Sequence, residues 1–186
     1  MVIPALFSCD FLTRGFRQAL GSIGYDVAGW AGRVNFGPTQ DGWNMLSGRV
    51  TELAAQSGNQ ISLIGHSLGG VIARVLAHQH PGIVRRVITI CSPFRLPAAT
   101  PLAPLYRALS LCHADNEILL PWLDAPPLVP TTAIYSPCDG IVAWNSCIDE
   151  PGNGRENVAI SGRHTTMLAD PRTLRVVAER LAIGDA

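Results

Sequence analysis

Apolar and polar positions along the chain follow two alternating patterns. Some stretches are continuously or mostly apolar, which is typical of strands covered on both faces. Six such runs lie at 2–7, 25–30, 61–65, 86–90, 131–136 and 156–161. Between most of them, apolar residues recur three or four positions apart, which predicts amphipathic helices. The chain is therefore predicted to alternate strands with helices.

Four of the predicted helices have recognisable ends. Asp10 or Thr13 caps the first, the second ends near Gly58, the third stops before Pro81 and Gly82, and Asp170 caps the last, directly before Pro171. Their apolar positions are Leu12, Phe16, Ala19 and Ile23 in the first helix, Trp43, Leu46, Val50 and Leu53 in the second, Val71, Ile72, Val75 and Leu76 in the third, and Leu174, Val177 and Leu181 in the last.

This order predicts one α/β domain over residues 1–186, a length that suits a single core. We expect an open, mostly parallel sheet of about six strands with helices on both faces. Ligands of such sheets bind beyond the carboxyl ends of the strands. The residues that follow each strand are therefore the candidate functional residues.

Residues 94–130 interrupt the alternation. The segment is too long for an ordinary connection, rich in proline, and carries apolar residues throughout. It is either a cap or lid over a binding site, or an excursion whose short helices pack on the core.

Charge and composition exclude several functions. The 14 basic and 14 acidic residues balance, which gives no electrostatic footprint for nucleic acid. All basic residues are arginines, so a Walker-type phosphate loop and lysine Schiff-base chemistry lack their essential group. We expect a neutral or apolar small-molecule partner.

The five cysteines fit neither a zinc motif nor a dense disulfide framework, so free thiols are expected. If one bridge forms, Cys138 with Cys147 is the expected pair. The N-terminal sequence lacks the basic and apolar regions of a signal peptide, and no run is long enough to span a bilayer. These features favour a cytoplasmic protein, or a secreted one if a leader precedes this sequence.

The strongest candidate for chemistry is Ser67, in the stretch "LIGHSLGG" at 63–70. A serine at a tight strand-to-helix turn needs small residues two positions away on either side, because the two backbones pass close together there. Gly65 and Gly69 satisfy this requirement. Ser67 is thus predicted to be a nucleophile at the start of a helix.

A serine nucleophile needs a base, and the base needs an acid. His164 follows the sixth predicted strand and Asp139 the fifth, so both reach the same sheet edge as Ser67. His66 is expected to point away from Ser67. Rival acids, Asp115 and Asp124, lie inside the 94–130 segment.

An oxyanion intermediate also needs two N–H donors. The backbone of Leu68 supplies one at the helix start. The loop after the first strand supplies the other through the backbone of Leu6, or less favourably Ala5.

The order Ser67, Asp139, His164, with "GHSLGG", "SPCDGIV" and "RHTTML", resembles the α/β-hydrolase superfamily, in particular its small bacterial lipase and esterase branch. The resemblance covers most of the chain and implies a catalytic triad and an oxyanion hole on a minimal six-stranded fold. One departure is that family members usually carry "HG" or "PG" where this chain has Pro4 and Ala5.

These residues predict a serine hydrolase that cleaves carboxylic esters of apolar acyl groups, from small molecules or lipids, through an acyl-enzyme. No cofactor or metal is expected, because "HADNE" at 113–117 is typical of a solvated turn. Side chains predicted to line the acyl pocket are Leu105, Leu109, Trp122 and Trp144.

Two alternatives stay open. A thioesterase or acyltransferase would use the same triad with a different acyl donor or acceptor. A non-catalytic protein of the same fold would bind an apolar ligand or a partner. The sequence does not determine the oligomeric state.

Overall fold

A computed structural model describes residues 1–37, 39–95, 116–122 and 125–184. Five parallel strands form one sheet in the order β1-β2-β3-β4-β5. They are β1 (Val2–Ile3), β2 (Ile61–His66), β3 (Val84–Ile90), β4 (Thr131–Tyr135) and β5 (Arg155–Ala159). The predicted open parallel α/β sheet is confirmed, with five strands in place of six.

Helices cover both faces of this sheet. They are α1 (Asp10–Ser22), α2 (Gln40–Ser57), α3 (Leu68–Gln79), the short α4 (Asn116–Leu119) and α5 (Pro171–Leu181). Apolar residues of α1 and α5 share one core cluster, and those of α2 and α3 share the other. Neighbouring strand residues point to opposite faces, so Leu63 packs with α3 while Ile64 packs on the opposite face.

Two strand predictions were wrong in extent. The run 2–7 forms a strand only at Val2–Ile3, because Pro4 has no N–H to continue the ladder. The run 25–30 makes a single parallel bridge between Gly29 and Val2. The N–H groups of Trp30 and Ala31 donate to the Asp10 carboxylate instead of a strand, so no longer ladder forms there.

The helix ends are largely as predicted. The Thr39 hydroxyl caps α2, Gly58 ends it in the left-handed region, and the Asp170 carboxylate caps α5. The predicted face of α1 was wrong in part: Phe16 is buried as predicted, but Leu12 and Ile23 are exposed. The buried positions of α1 are Thr13, Phe16 and Leu20, and its cap position is Cys9.

Only parts of the 94–130 segment are described. Leu119 packs into the core cluster formed with α3, and the Trp122 ring lies 5.0 Å from the ring of His78. The predicted pocket residues Leu105 and Leu109 lie outside the described residues, as do Asp115 and Asp124. The described parts pack against α3.

Within the described ranges, no helix combines the length and the apolar character that crossing a bilayer requires. The cysteines of this part of the chain, Cys9, Cys91, Cys138 and Cys147, are free thiols. Cys138 and Cys147 are therefore not bridged in this structure.

Strand β2 meets helix α3 with almost no space between their backbones. A Cβ at Gly65 would overlap the backbone of Gly69 and Gly70, and one at Gly69 would overlap the carbonyl oxygens of Ile3 and Pro4. Glycine is thus required here by packing. The same contact holds the end of β1 against the start of α3.

A buried ion pair anchors the middle of α3. Arg74 makes two hydrogen bonds to the Asp149 carboxylate, at 2.8 and 2.9 Å, and both side chains are almost fully buried. The guanidinium lies 3.7 Å from the ring centre of Phe94, and the Thr131 hydroxyl donates to Asp149. This network ties α3 to the segments after β3 and before β5.

Replacement of Asp149 by Ala should lower the free energy of unfolding by about 3–5 kcal/mol, because it leaves the Arg74 charge buried without a partner. The matched control is Glu150→Ala, which removes the exposed partner of Arg95 and should cost less than about 1 kcal/mol. Urea denaturation measures both. Equal losses in the two variants would contradict the anchoring role.

Replacement of Gly69 by Ala should lower the free energy of unfolding by about 1–3 kcal/mol or more, because the new methyl group overlaps backbone carbonyl groups of Ile3 and Pro4. The control is Gly48→Ala in the exposed middle of α2, where a Cβ meets nothing within 4 Å. That variant should gain up to about 1 kcal/mol. A Gly69→Ala protein with the free energy of unfolding of the wild type would contradict this close backbone contact.

Candidate active site

Ser67 lies at the tip of the turn between β2 and α3, with φ 53° and ψ −122°. A positive φ is strained for a residue other than glycine and recurs at functional sites. The Ser67 N–H donates to the carbonyl of Ile90 at the end of β3. The turn is therefore held at the carboxyl edge of the sheet, where the free N–H groups and positive dipole of the α3 start are located.

Asp139 and His164 are in direct contact at the same edge. Nδ1 of His164 lies 2.8 Å and 2.9 Å from the two oxygens of the Asp139 carboxylate, and both side chains are buried. The backbone N–H groups of Ile141 and Val142 also donate to the carboxylate, at 3.0 and 2.7 Å. The structure thus brings together two of the three predicted triad residues.

The environment of Asp139 favours its ionised form. Burial raises the pKa of the carboxyl, but hydrogen bonds from His164, Val142 and Cys91 and the charge of His164 outweigh it, so that the pKa lies below its ordinary value. An ionised acid is what an imidazole needs to hold one tautomer and to carry a positive charge.

His66 connects the Ser67 turn to the His164 loop. Its Nε2 lies 3.0 Å from the His164 carbonyl oxygen, and the two imidazole centres are 5.0 Å apart. Burial, followed by the charge of His164, lowers the pKa of His66 to about 4, so the ring is neutral at pH 7. Because a carbonyl only accepts, the ring proton is on Nε2. Sequence analysis gave His66 no role; its position at the end of β2 was the available signal.

Within the described part of the chain, the Ser67 hydroxyl makes no hydrogen bond. Ser67 is adjacent to His66, and His66 contacts His164. Direct proton transfer between Ser67 and His164 stays a prediction.

Ser136 joins the acid loop to the histidine loop. Its hydroxyl donates to the Gly162 carbonyl at 2.6 Å and accepts from the N–H groups of Gly162 and Cys138. The hydroxyl thereby fixes the loops after β4 and β5 to each other. A serine after a strand is too common in sequence to have indicated this role.

The loop after β1 approaches the start of α3. Gly69 packs against the carbonyls of Ile3 and Pro4, and Leu68 is the first residue of α3. Buried Asn35 holds the loop at two points. Its side-chain amide donates to the Pro4 carbonyl at 2.8 Å, and its backbone carbonyl accepts from the Phe7 N–H. The predicted oxyanion donors, Leu6 and Leu68, therefore belong to two backbone segments that touch.

Cys91 follows β3 and lies beside the acid. The ligand atoms of Cys91, Asp139 and His164 lie within 4.8 Å of one another, and all three residues are buried. These residue types could hold a metal ion. However, Nδ1 of His164 is at direct hydrogen-bonding distance from the carboxylate, so no ion fits between those two atoms.

The predicted pocket residues have different surroundings. Trp144 is half-exposed and stacks on Tyr135, the last residue of β4, with ring centres 5.7 Å apart. Trp122 contacts His78 in the last turn of α3, about 16 Å along the helix from Ser67. The placement of Trp122 does not support its assignment to the pocket.

Comparison with known proteins agrees with this architecture. Residues 49–114 match the family described as "alpha/beta hydrolase fold". No curated protein sequence matches the chain significantly.

Solved structures resemble nearly the whole chain. Aspergillus fumigatus lipase B superposes with a TM-score of 0.74 at 20% identity, covering 98% of this chain and 52% of that one. This chain thus spans about half the length of that lipase. Bacillus licheniformis lipase BlEst2 in its mature form gives 0.74 at 15% identity, with 98% and 91% covered. The monoacylglycerol lipase of Paleococcus ferrophilus gives 0.68 at 12%, with 97% and 92% covered.

At identities this low, the superpositions establish the fold alone. The family match, which includes the Ser67 turn, agrees with that fold. The resemblance identified from the sequence is confirmed at this level. The chain is an α/β-hydrolase-fold protein with a five-stranded parallel sheet, and its structural neighbours include lipases and esterases.

Proposed function

We propose that the protein is a serine hydrolase that cleaves carboxylic esters of apolar acyl groups through an acyl-enzyme. The observation that carries the proposal is the buried pair of His164 and Asp139, 2.8 Å apart, at the sheet edge where Ser67 occupies a strained strand-to-helix turn. Fold neighbours named as lipases are consistent with hydrolysis.

In this proposal, Nε2 of His164 takes the proton of the Ser67 hydroxyl as the oxygen attacks the ester carbonyl. Asp139 accepts a hydrogen bond from the Nδ1–H group of His164. This leaves Nε2 free to act as the base, and the carboxylate stabilises the imidazolium. His164 then protonates the leaving alcohol. Water, activated by the same ring, releases the acid from Ser67. The hydrogen bond between the Ser67 hydroxyl and Nε2 of His164 is expected to form when substrate is bound, since catalytic hydrogen bonds commonly tighten only at that stage.

The tetrahedral intermediate carries a negative oxygen that needs donors already in place. The N–H of Leu68 has no acceptor within α3, because the first turn of a helix leaves its N–H groups unpaired. We assign the second donor to Leu6, whose loop lies against the same helix start. The helix dipole adds to the stabilisation of the anion.

The preference for apolar acyl groups is supported by exposed aromatic and aliphatic side chains on the loops of this edge. Phe7 and Phe36 stack edge to face, with ring centres 5.9 Å apart, while each stays about half-exposed. Phe11 and Leu12, at the start of α1, are even more exposed. Trp144 stays in the proposal as a pocket residue on the other side of the site.

Neutral His66 keeps the His164 loop in place. A charged imidazole in this buried position would face a second imidazole 5.0 Å away, which disfavours protonation. The neutral ring instead offers one N–H to the His164 backbone. We infer that His66 acts on the reaction through His164 and does not touch the substrate.

The Ser67→Ala variant should lose at least about 10⁴-fold in kcat, since the triad acts as a unit. The assay is hydrolysis of p-nitrophenyl esters with short to long acyl chains, together with covalent labelling by a fluorophosphonate. Ser57→Ala, a change at the exposed end of α2, is the matched control and should keep both activity and labelling.

Equal, flat background rates in the wild type and the Ser67→Ala variant, without labelling, would overturn the hydrolase proposal. Products formed with added alcohols or thiols in place of water would make the protein an acyltransferase that uses the same residues.

The His66→Gln variant should reduce the pH dependence of stability. The pKa of His66 is about 4 in the folded protein and about 6.5 when unfolded, so wild-type stability is complete above pH 6.5 and is lost as the pH falls towards 4. Between pH 7 and pH 4 the wild type should lose about 3 kcal/mol more than the variant, whose side chain does not titrate. Urea denaturation at both pH values measures the difference. Identical losses would contradict the burial of a neutral His66.

A further inference from the structure

We propose that Cys91 is a positioning residue for the acid of the site: its thiol donates a hydrogen bond to the Asp139 carboxylate and orients that carboxylate towards His164. The kinetic part of this proposal rests on the proposed hydrolase function. The structural part, a thiol donor on Asp139, does not.

The backbone places Cys91 directly beside the acid. Cys91 follows β3, and its N–H donates to the Ile134 carbonyl in β4 at 2.8 Å. Its φ of 49° is in the left-handed region, which is strained for cysteine. Together with Ser67, it is one of the few residues other than glycine with this conformation, and both lie at strand ends on the same edge. The side chain is fully buried, with its sulfur within 4.8 Å of the ligand atoms of Asp139 and His164.

The position of the sulfur makes the Asp139 carboxylate the acceptor in this proposal. The Cys91 sulfur lies within 4.8 Å of a carboxylate oxygen of Asp139, and the buried thiol proton is assigned to that oxygen. A carboxylate has about four lone-pair positions, and the N–H groups of Ile141, Val142 and His164 occupy three of them. In the proposal, the thiol supplies a fourth donor to this carboxylate.

The thiol keeps its proton. Burial, followed by the negative charge of Asp139, raises the pKa of Cys91 far above its ordinary value. A buried thiol of this kind is neither a nucleophile nor a ready metal ligand, because both of those roles need the thiolate. What the structure leaves to Cys91 is the role of a neutral donor.

Loss of this donor has a definite electrostatic consequence. The hydrogen bond from Cys91 is one of the interactions that lower the pKa of Asp139. With one donor fewer, the carboxylate binds a proton more tightly and is free to rotate away from Nδ1 of His164. Because the acid and the histidine are coupled, the pair titrates with two apparent pKa values, and the lower of these moves to higher pH.

Cys147 provides a matched comparison. It is also a buried free thiol near the site, but its sulfur faces the Ala143 carbonyl at 3.8 Å and the Ser146 hydroxyl. Removing its thiol deletes a sulfur of the same size and leaves the donors of Asp139 untouched.

The test compares Cys91→Ala, which removes the donor, with Cys91→Ser, which keeps an O–H donor, and with Cys147→Ala. Carbon-13 NMR of labelled aspartates follows the titration of Asp139, and proton NMR follows the low-field resonance of the Nδ1 proton of His164. Steady-state hydrolysis of p-nitrophenyl butyrate gives kcat and KM for each variant over a range of pH.

In Cys91→Ala, Asp139 should titrate about 0.5 pH unit higher, the Nδ1 proton resonance should move, and kcat should fall about fivefold with KM unchanged. The acid limb of the pH–rate profile should shift upwards. Cys91→Ser should retain the wild-type titration and keep kcat within about twofold. Cys147→Ala should match the wild type in every measurement.

An unchanged Asp139 titration in Cys91→Ala would overturn the proposal. So would an equal defect in Cys91→Ser, because the loss would then reflect packing of the sulfur and not a donated proton. If the wild type hydrolyses no ester, the proposed function fails alone, since the two NMR measurements still decide whether Cys91 is a donor to Asp139.

Discussion

The site depends on the close backbone contact between the end of strand β2 and the start of helix α3. Their backbones meet across Gly65 and Gly69, with no space for a side chain at either position. The chain must reverse between them within a few residues, which forces Ser67 to a positive φ at the tip of the turn. Because the turn is also bonded to the end of β3, the strain is held by the whole sheet and cannot relax locally.

The rest of the site depends on this fixed point. His66, the last residue of β2, donates to the backbone of His164, and Ser136 ties the loop after β4 to the loop after β5. Asp139 is held by backbone N–H groups of its own loop as well as by His164. These polar groups are buried, and satisfying all of them specifies one arrangement of three loops.

Substrate choice is a separate matter from this scaffold. The lipases that superpose on the chain share its sheet and helices at 12–20% identity, so the common framework does not select an acyl group. Under the proposed function, we assign selectivity to the loops at the carboxyl edge, where Phe7, Phe36 and Trp144 expose apolar surface.

The sequence by itself determined the elements and the identity of the candidate nucleophile. The apolar runs predicted β2 to β5, Gly58 and Asp170 marked helix ends correctly, and the glycines around Ser67 indicated the turn, because each of these signals depends on neighbours along the chain. The strand predicted at 25–30 was too long. Pro4 ends the neighbouring strand β1 and Asp10 binds the Trp30 N–H, and both residues are distant in sequence from this run.

The sequence pattern predicted the contact of Asp139 with His164, but only the tertiary structure decided the contacts around it. The contacts of His66 with His164, of Cys91 with Asp139, and of Arg74 with Asp149 join residues separated by 98, 48 and 75 positions. No local pattern encodes them, because hydrogen bonds between loops depend on where the sheet brings their ends. Burial then decides the protonation of His66 and Cys91, and burial exists only once the chain has folded.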